Sequence, residues 1–300
     1  MSQSTRQPAY FVVYHGSRDP RPAALAQQLA EQMKDCLRHR LTNSFPSEGA
    51  AEANDPMLAI APLECCDTPL QARLVEFARE AREQGYSHVQ IIPLFLMAGV
   101  HVREDIPAEV EAARSELGDR PHLILCPYLG SHPHLADYLR SLFPSQPSSV
   151  PDVEHRVANR LLISHGSRRL GGNQKIEAIA QELEAQPAYW SVEPSVEISL
   201  ISIIEDGAGS ELQSSQTIEI LPYFLFAGGI TDAIAQTVED FQHRFPQVQV
   251  HLAAPLGANR AIAQMAVKMA LEITASSTAQ DSSSSWPHSS DPSSFMASVG

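Results

Sequence analysis

The chain is poor in cysteine and in basic residues, and it lacks any apolar run of membrane-spanning length. Cys36, Cys65, Cys66 and Cys126 form no C-x-x-C pair, and the adjacent Cys65 and Cys66 are badly placed to ligate one ion together. This argues against a disulfide frame or structural zinc site and points to reduced thiols in an intracellular protein. Thirty-five acids against twenty-one bases give a formal charge of −14, which argues against nucleic acid as the main partner. An anionic small ligand stays open, since it needs only a few local arginines and backbone N–H groups. The short polar segment Met1–Pro8 has no apolar signal region. No stretch approaches the roughly 20 apolar residues of a membrane span. A cytoplasmic protein without membrane contact is therefore expected. The G-x-S-x-G elbow of serine hydrolases is absent.

What is present is a repeated βα pattern. Three hundred residues, 43% of them hydrophobic, allow two domains with a core each. The organising stretch is Ile91-Ile-Pro-Leu-Phe-Leu-Met-Ala-Gly-Val-His101, echoed by Ile220-Leu-Pro-Tyr-Phe-Leu-Phe-Ala-Gly-Gly-Ile230. Each reads as a buried parallel strand leaving through a small-residue turn. Only the first copy ends on histidine.

Around it the pattern predicts strands at Tyr10–Tyr14, Met57–Leu63 and Leu123–Pro127, with helices carrying Leu25/Leu29/Met33/Cys36, Leu70/Leu74/Phe77/Ala81 (stopped by Gly85) and Leu135/Tyr138/Leu139/Leu142. A helix from Arg103 to Leu117 takes Pro107 in its first turn. Thr42–Pro56 reads as an exposed insertion. The order restarts with strand Leu161–Ser164, turn His165–Arg168 and a helix carrying Ile176, Ile179 and Leu183. Val196–Ile204 reads as a strand ending at Glu205, followed by strands at Ile220–Phe226 and Val248–Ala253 and by helices carrying Ile234/Val238/Phe241/Phe245 and Ile262/Met265/Met269.

His15 thus pairs with His165, Glu64 with Glu205, Pro93 with Pro222 and Gly130 with Gly257. The shrinking offset implies two losses in the second half, one of them most of the helix after its second strand. The expected organisation is α/β: an N-terminal lobe at 1–143, a linker at 144–156, a C-terminal repeat lobe at 157–275 and a disordered Ser-rich tail at 276–300. Each lobe carries a mainly parallel sheet flanked by helices, and the two face each other across a cleft.

His15, Glu64 and His101 each follow a strand of the first lobe, so the shared C-terminal edge of the sheet brings them within reach of one another. Two imidazoles and a carboxylate suit Co, Fe, Ni or Zn, or proton abstraction near neutral pH. Backbone N–H groups at Ser17 and Arg18 open a helix, and Arg18, Arg21 and Arg103 can bind carboxylates. A plainer alternative has His15 and His165 serving the steric needs of tight turns and Glu64 capping the helix opened by Thr68-Pro69. His132 and His134 lie on the correct edge to line the cleft, whereas His39, His88, His122, His243 and His288 read as solvent-facing.

Val12-Val-Tyr-His-Gly-Ser-Arg18, Leu63-Glu64 with Pro69 following, Pro93-Leu-Phe-Leu-Met-Ala-Gly-Val-His-Val-Arg-Glu-Asp-Ile-Pro107 and Pro127-Tyr-Leu-Gly130 resemble the CbiX/SirB family of sirohydrochlorin chelatases. The resemblance covers about Ala9–Ala275 and is to the long, internally duplicated form. It implies a class II chelatase that inserts Co²⁺ or Fe²⁺, as substrate metal, into sirohydrochlorin on the way to cobalamin or sirohaem, with neither ATP nor another nucleotide. The family's two histidines carry over to His15 and His101, as metal ligand and proton acceptor, and an acidic residue to Glu64. Ser17, Arg18 and Arg103 would meet the carboxylates of the anionic tetrapyrrole. The departure at Ile230 implies that the second lobe only closes the cleft. Some long members carry a cysteine-rich cluster-binding segment near the C-terminus; this tail has no cysteine, so no iron–sulfur centre is expected. A duplicated chain has less need to dimerise, which makes a monomer plausible. The competing readings are a non-catalytic tetrapyrrole or metal carrier and a histidine phosphatase-like enzyme, the latter weakened by Tyr14 where that chemistry wants arginine.

Overall fold

The computed structural model describes residues 8–44, 55–118, 121–143, 159–207 and 217–281. Its first half runs β1 (Ala9–Tyr14), α1 (Pro20–Ser44), β2 (Leu58–Pro62), α2 (Leu70–Glu83), β3 (His88–Pro93), α3 (Ile106–Leu117), β4 (His122–Leu125) and α4 (Leu135–Ser141). The second runs β5 (Asn159–Ser164), α5 (Gln174–Glu182), β6 (Gln186–Tyr189), α6 (Val196–Gly207), β7 (Thr217–Pro222), α7 (Gly229–Arg244), β8 (Gln249–Leu252) and α8 (Arg260–Asp281). The strands form two four-stranded sheets, ordered β2-β1-β3-β4 and β6-β5-β7-β8, and every pairing is parallel.

Strand β1 is buried over its whole length, as a parallel strand covered on both faces must be. Its alternate residues serve two cores. Tyr10, Val12 and Tyr14 join a core that also contains Leu162, Ile176, Ala180, Ile262 and Ala263 of the second half. Ala9, Phe11 and Val13 face a core closed by α2 and α3. The lobes are thus fused by a shared apolar layer in which α1 packs on α8. Buried hydrogen bonds cross this layer: the Tyr223 hydroxyl donates to the Leu96 carbonyl at 3.1 Å, and Gln90 Nε2 donates to the Ala270 carbonyl at 2.9 Å. At the C-terminal edges of the strands the lobes meet through exposed ion pairs, Arg21 with Asp232 at 2.6 Å and Arg169 with Glu104 at 3.9 Å, contacts worth little energetically in water.

Several sequence expectations are corrected, the first of them in the second lobe. Val196–Ile204 is helix α6, and the second strand of that lobe is the short Gln186–Tyr189. Val196, Leu200 and Ile203 are buried at helical spacing while Ile198 is half exposed, so the β-branched residues misled while the burial period was helical. Pro187 fits strand β6 because β6 lies at the sheet edge. The helix thought lost is therefore present. Glu205 is an exposed residue of that helix, and the residue matching Glu64 is Ser191: Pro62 pairs with Tyr14 as Tyr189 pairs with Ser164, and each target follows two residues later. The one large fall in the offset, from 150 at His15/His165 to 127 at Glu64/Ser191, lies within the β1–β2 connection.

The second correction concerns the organising stretch. Strand β3 spans only His88–Pro93; Leu94, Phe95 and Leu96 are buried in the loop beyond it. Helix α1 runs to Ser44, into the segment read as an insertion, and α8 continues to Asp281, past the point where the tail was placed. Residues 45–54, the linker at 144–156, the Gly/Ser-rich stretch at 208–216 and residues 282–300 lie outside the described residues. Among the described residues no helix is long and apolar enough to cross a membrane.

Candidate metal and substrate site

In the first sheet the chain moves from β1 outward to β2, then returns past β1 to β3. Helix α1 consequently covers one face and α3 the other. This reversal opens a crevice at the C-terminal ends of β1 and β3, where open α/β sheets bind ligands. His15 leaves β1 and His101 follows β3, so both flank that crevice.

The exit of β1 is clamped to the exit of β2. The Leu63 N–H donates to the Tyr14 carbonyl and the Glu64 N–H to the His15 carbonyl at 2.9 Å, extending the parallel ladder past the strands. The crossing is so close that a Cβ on Gly16 would lie 2.1 Å from the Glu64 carbonyl oxygen, and Gly16 has φ of +91°. Only glycine fits both demands. Cys65, next along, is itself left-handed at φ 58° and turns the chain away after Glu64.

The loop after β3 is pinned from two sides. The Gly130 N–H donates to the Phe95 carbonyl at 2.8 Å, and Tyr223 of the second lobe holds the Leu96 carbonyl. A π-turn at His101–Asp105 follows, closed by the Ile106 N–H on the His101 carbonyl. Pro107 sits in the first turn of α3, as expected.

These features bring His15, Glu64 and His101 together, with their ligand atoms all within 4.8 Å of one another. The imidazole centroids are 4.8 Å apart in an edge-on arrangement, and Phe95 lies 6.1 Å from each. His101 Nε2 is 3.9 Å from Glu64 Oε1. A tetrahedral ion at about 2.1 Å would hold its ligands about 3.4 Å apart, a closure of about an ångström for partly exposed side chains. Three protein ligands would leave coordination positions for an incoming molecule.

Backbone and carboxylate partners orient both rings. His15 Nδ1 donates to the Gly16 carbonyl at 3.0 Å, and His101 Nδ1 lies 2.7 Å from Asp105 Oδ2. A carboxylate has only lone pairs to offer, so His101 carries its neutral-form proton on Nδ1, and both rings present Nε2 outward.

The other sequence-named residues divide. Arg18 and Arg103 follow His15 and His101 closely in the chain, are exposed, and pair with no carboxylate among the described residues. The Ser17 hydroxyl accepts the Asp19 N–H at 3.1 Å, supporting the turn into α1. Arg21 is already committed to Asp19 and Asp232 and holds both carboxylates below their ordinary range. The second lobe keeps the His165 turn, with Nδ1 on the Gly166 carbonyl at 3.0 Å, but Ser191 and Ile230 replace the other two members. Cys36 and Cys126 are buried, and burial pushes the Cys126 thiol up to about 12, so it stays protonated. Asp105 and Phe95 escaped the sequence reading; the His-x-x-x-Asp spacing, which joins residues across a helical turn, was the available signal.

His132 is buried, whereas His134 is exposed beside Asp137, and His88 is half buried against the His122 ring rather than solvent-facing. His132 Nδ1 accepts the His134 N–H at 3.2 Å, and among the described residues its buried Nε2 has no partner. Burial, then the nearby His134 and Lys268, hold this imidazole below its ordinary value, with Glu272 opposing. The unfolded chain takes up the proton near pH 6.5 and the folded protein only at lower pH. Stability is therefore full above about pH 6.5 and falls as pH drops from there toward the lowered folded value. His132→Gln should flatten the dependence of Tm on pH between about 7.5 and 5.5; an unchanged slope would show that His132 is not the titrating group.

The profile of the CbiX family matches residues 9–145 and 159–273. The chain belongs to the CbiX family. Among curated proteins it is similar to the sirohydrochlorin ferrochelatase of Priestia megaterium, at 25% identity over 178 residues, 59% of this chain and 65% of that protein. It is also similar to the sirohydrochlorin cobaltochelatase of the same organism, at 22% identity over 58% of this chain and 56% of that protein. The chain thus spans less than two thirds of the length of these two relatives. Among solved structures, SirB from Bacillus subtilis with Fe³⁺ shares the fold at a TM-score of 0.64 and 20% identity, covering 92% of this chain and 98% of that one. A cobalt complex of SirB from Bacillus subtilis subspecies spizizenii gives 0.62 at 19% identity, with coverage of 92% and 98%. CbiX-family membership and the duplicated architecture thus agree, and the family match extends over both lobes.

Proposed function

We propose that this protein inserts Co²⁺ or Fe²⁺ into sirohydrochlorin without nucleotide hydrolysis. The observation that carries the reading is the convergence of His15, Glu64 and His101 at the sheet's switch point in a CbiX-family chain. Insertion exchanges one divalent ion for two pyrrole protons, so the site must hold a metal and accept protons in the same small volume. Two Nε2 lone pairs and a carboxylate provide both. The anionic rim of the macrocycle would meet Arg18 and Arg103, which pair with no carboxylate among the described residues and stand on an otherwise acidic protein. Imidazole and carboxylate accept cobalt and iron alike, so the ligand set favours neither.

The direct test is anaerobic absorbance of sirohydrochlorin with Co²⁺ or Fe²⁺ and catalytic amounts of protein. Repeated turnover above the metal-only rate supports chelation. Binding that stops at one equivalent would make the protein a carrier, and no change at all would remove the tetrapyrrole from the reading.

A further inference from the structure

The two halves of the chain differ by one residue at a telling place. His101 matches Ile230 at an offset of 129, but Ile106 matches Ile234, and Val110 matches Val238, at 128. All four of these later residues are buried core positions on equivalent helices. Both helices open in the same way, with the Arg103 N–H on the Gly99 carbonyl and the Asp232 N–H on the Gly228 carbonyl. The first lobe then adds one residue, and the addition is the π-turn at His101–Asp105. Such single-turn insertions concentrate at functional sites.

The consequence is geometric. In the second lobe the residue four places after Ile230 is Ile234, fully buried beneath the sheet. Side chains four apart on a helix are neighbours, so that position cannot serve both the core and the site. The π-turn moves the core isoleucine to the fifth place, Ile106, and gives the fourth to Asp105. Its carboxylate then reaches His101 Nδ1 at 2.7 Å.

We infer that Asp105 is a positioning residue for His101, admitted to the helix by the one-residue π-turn, and that it directs the Nε2 lone pair of His101 toward His15 and Glu64. His15 needs no such partner because its own turn supplies the Gly16 carbonyl. His165 keeps the equivalent carbonyl contact in a lobe without the other two residues, so of these three strand-end histidines only His101 has a carboxylate on Nδ1 among the described residues. Ligating histidines commonly donate their second N–H to such a group, and losing it typically weakens metal binding 10- to 100-fold. The metal-binding consequence rests on the proposed chelatase reading; the orientation itself does not.

The test uses the full chain with ¹⁵N-labelled histidine. Long-range ¹H–¹⁵N spectra of the metal-free protein should show His101 protonated on Nδ1 in the wild type and as a tautomer mixture in Asp105→Ala, with Asp105→Asn, which retains an oxygen acceptor, in between. Titration with Co²⁺, followed by its visible absorption, should give a Kd raised about 10- to 100-fold in Asp105→Ala and partly restored in Asp105→Asn. An unaltered His101 tautomer in Asp105→Ala would overturn the inference, and a fall in Tm without a tautomer change would mark Asp105 as merely structural and overturn it equally. If the tautomer responds but the wild type binds no Co²⁺, the orientation stands and the chelatase reading is what fails.

Discussion

Replacing His101 by alanine is expected to lower the rate of metal insertion by about 10²- to 10⁴-fold, the range for loss of a positioned acid–base group, while His165→Ala stays within about twofold of wild type. The two residues make a controlled pair. His165 sits in the same exposed turn as His15, with the same Nδ1 contact to a following glycine carbonyl. It differs in having Ser191 and Ile230 for company where His15 has Glu64 and His101. A lone imidazole on that edge can neither chelate an ion nor divide metal binding from proton removal. Initial rates by absorbance under anaerobic conditions, with far-ultraviolet circular dichroism to show intact folding, decide the matter. Equal losses in both variants would mean that the second lobe also does chemistry.

Gly16→Ala should damage both the stability and the site of the first lobe, and Gly166→Ala is its control. At Gly16 the new Cβ would meet the Glu64 carbonyl oxygen at 2.1 Å, backbone against backbone, at φ of +91°. Relief requires moving the β2 exit, which breaks the Glu64-to-His15 hydrogen bond and carries the Glu64 carboxylate away from the imidazoles. Strain and lost pairing together should cost about 3 kcal/mol or more, lowering Tm by roughly 6 °C or more, with chelation falling further than stability explains. At Gly166 the clash is with side-chain atoms, Val192 Cγ2 at 2.7 Å and Tyr189 Cβ at 2.9 Å. That variant should lose stability but keep its rate per folded molecule. Rates normalised to folded protein separate the cases, and a Gly16→Ala enzyme of normal specific activity would show that the clamp between β1 and β2 does not position Glu64.

The residues of the site were legible because each stands directly after a strand, and parallel strands in one sheet end on one edge. Position in the chain was therefore enough to predict that His15, Glu64 and His101 converge. The repeat was legible for the same reason wherever it preserved a mark such as His-Gly-Ser-Arg. It failed where the mark was coincidental. Glu205 follows an apolar β-branched run and so imitated Glu64, but only packing shows that Val196, Leu200 and Ile203 point one way and that the run is a helix. The one-residue step in the offset across the π-turn was present in the sequence, yet its meaning depends on knowing that Ile106 and Ile234 occupy the same core position.

By itself, then, the order of residues determined the βα alternation, the duplication and which side chains converge at the strand ends, since these follow from local hydrophobic period and from where strands stop. Tertiary structure alone decided that the lobes share one core, that Arg21 is committed to Asp232, that Ser191 stands opposite Glu64, and that Asp105 turns His101 toward its partners. Those are relations between residues distant in sequence, or between a helix and the core it must fill. Local pattern carries no record of them, because the same side chain can satisfy its chemistry in several places until packing leaves it one.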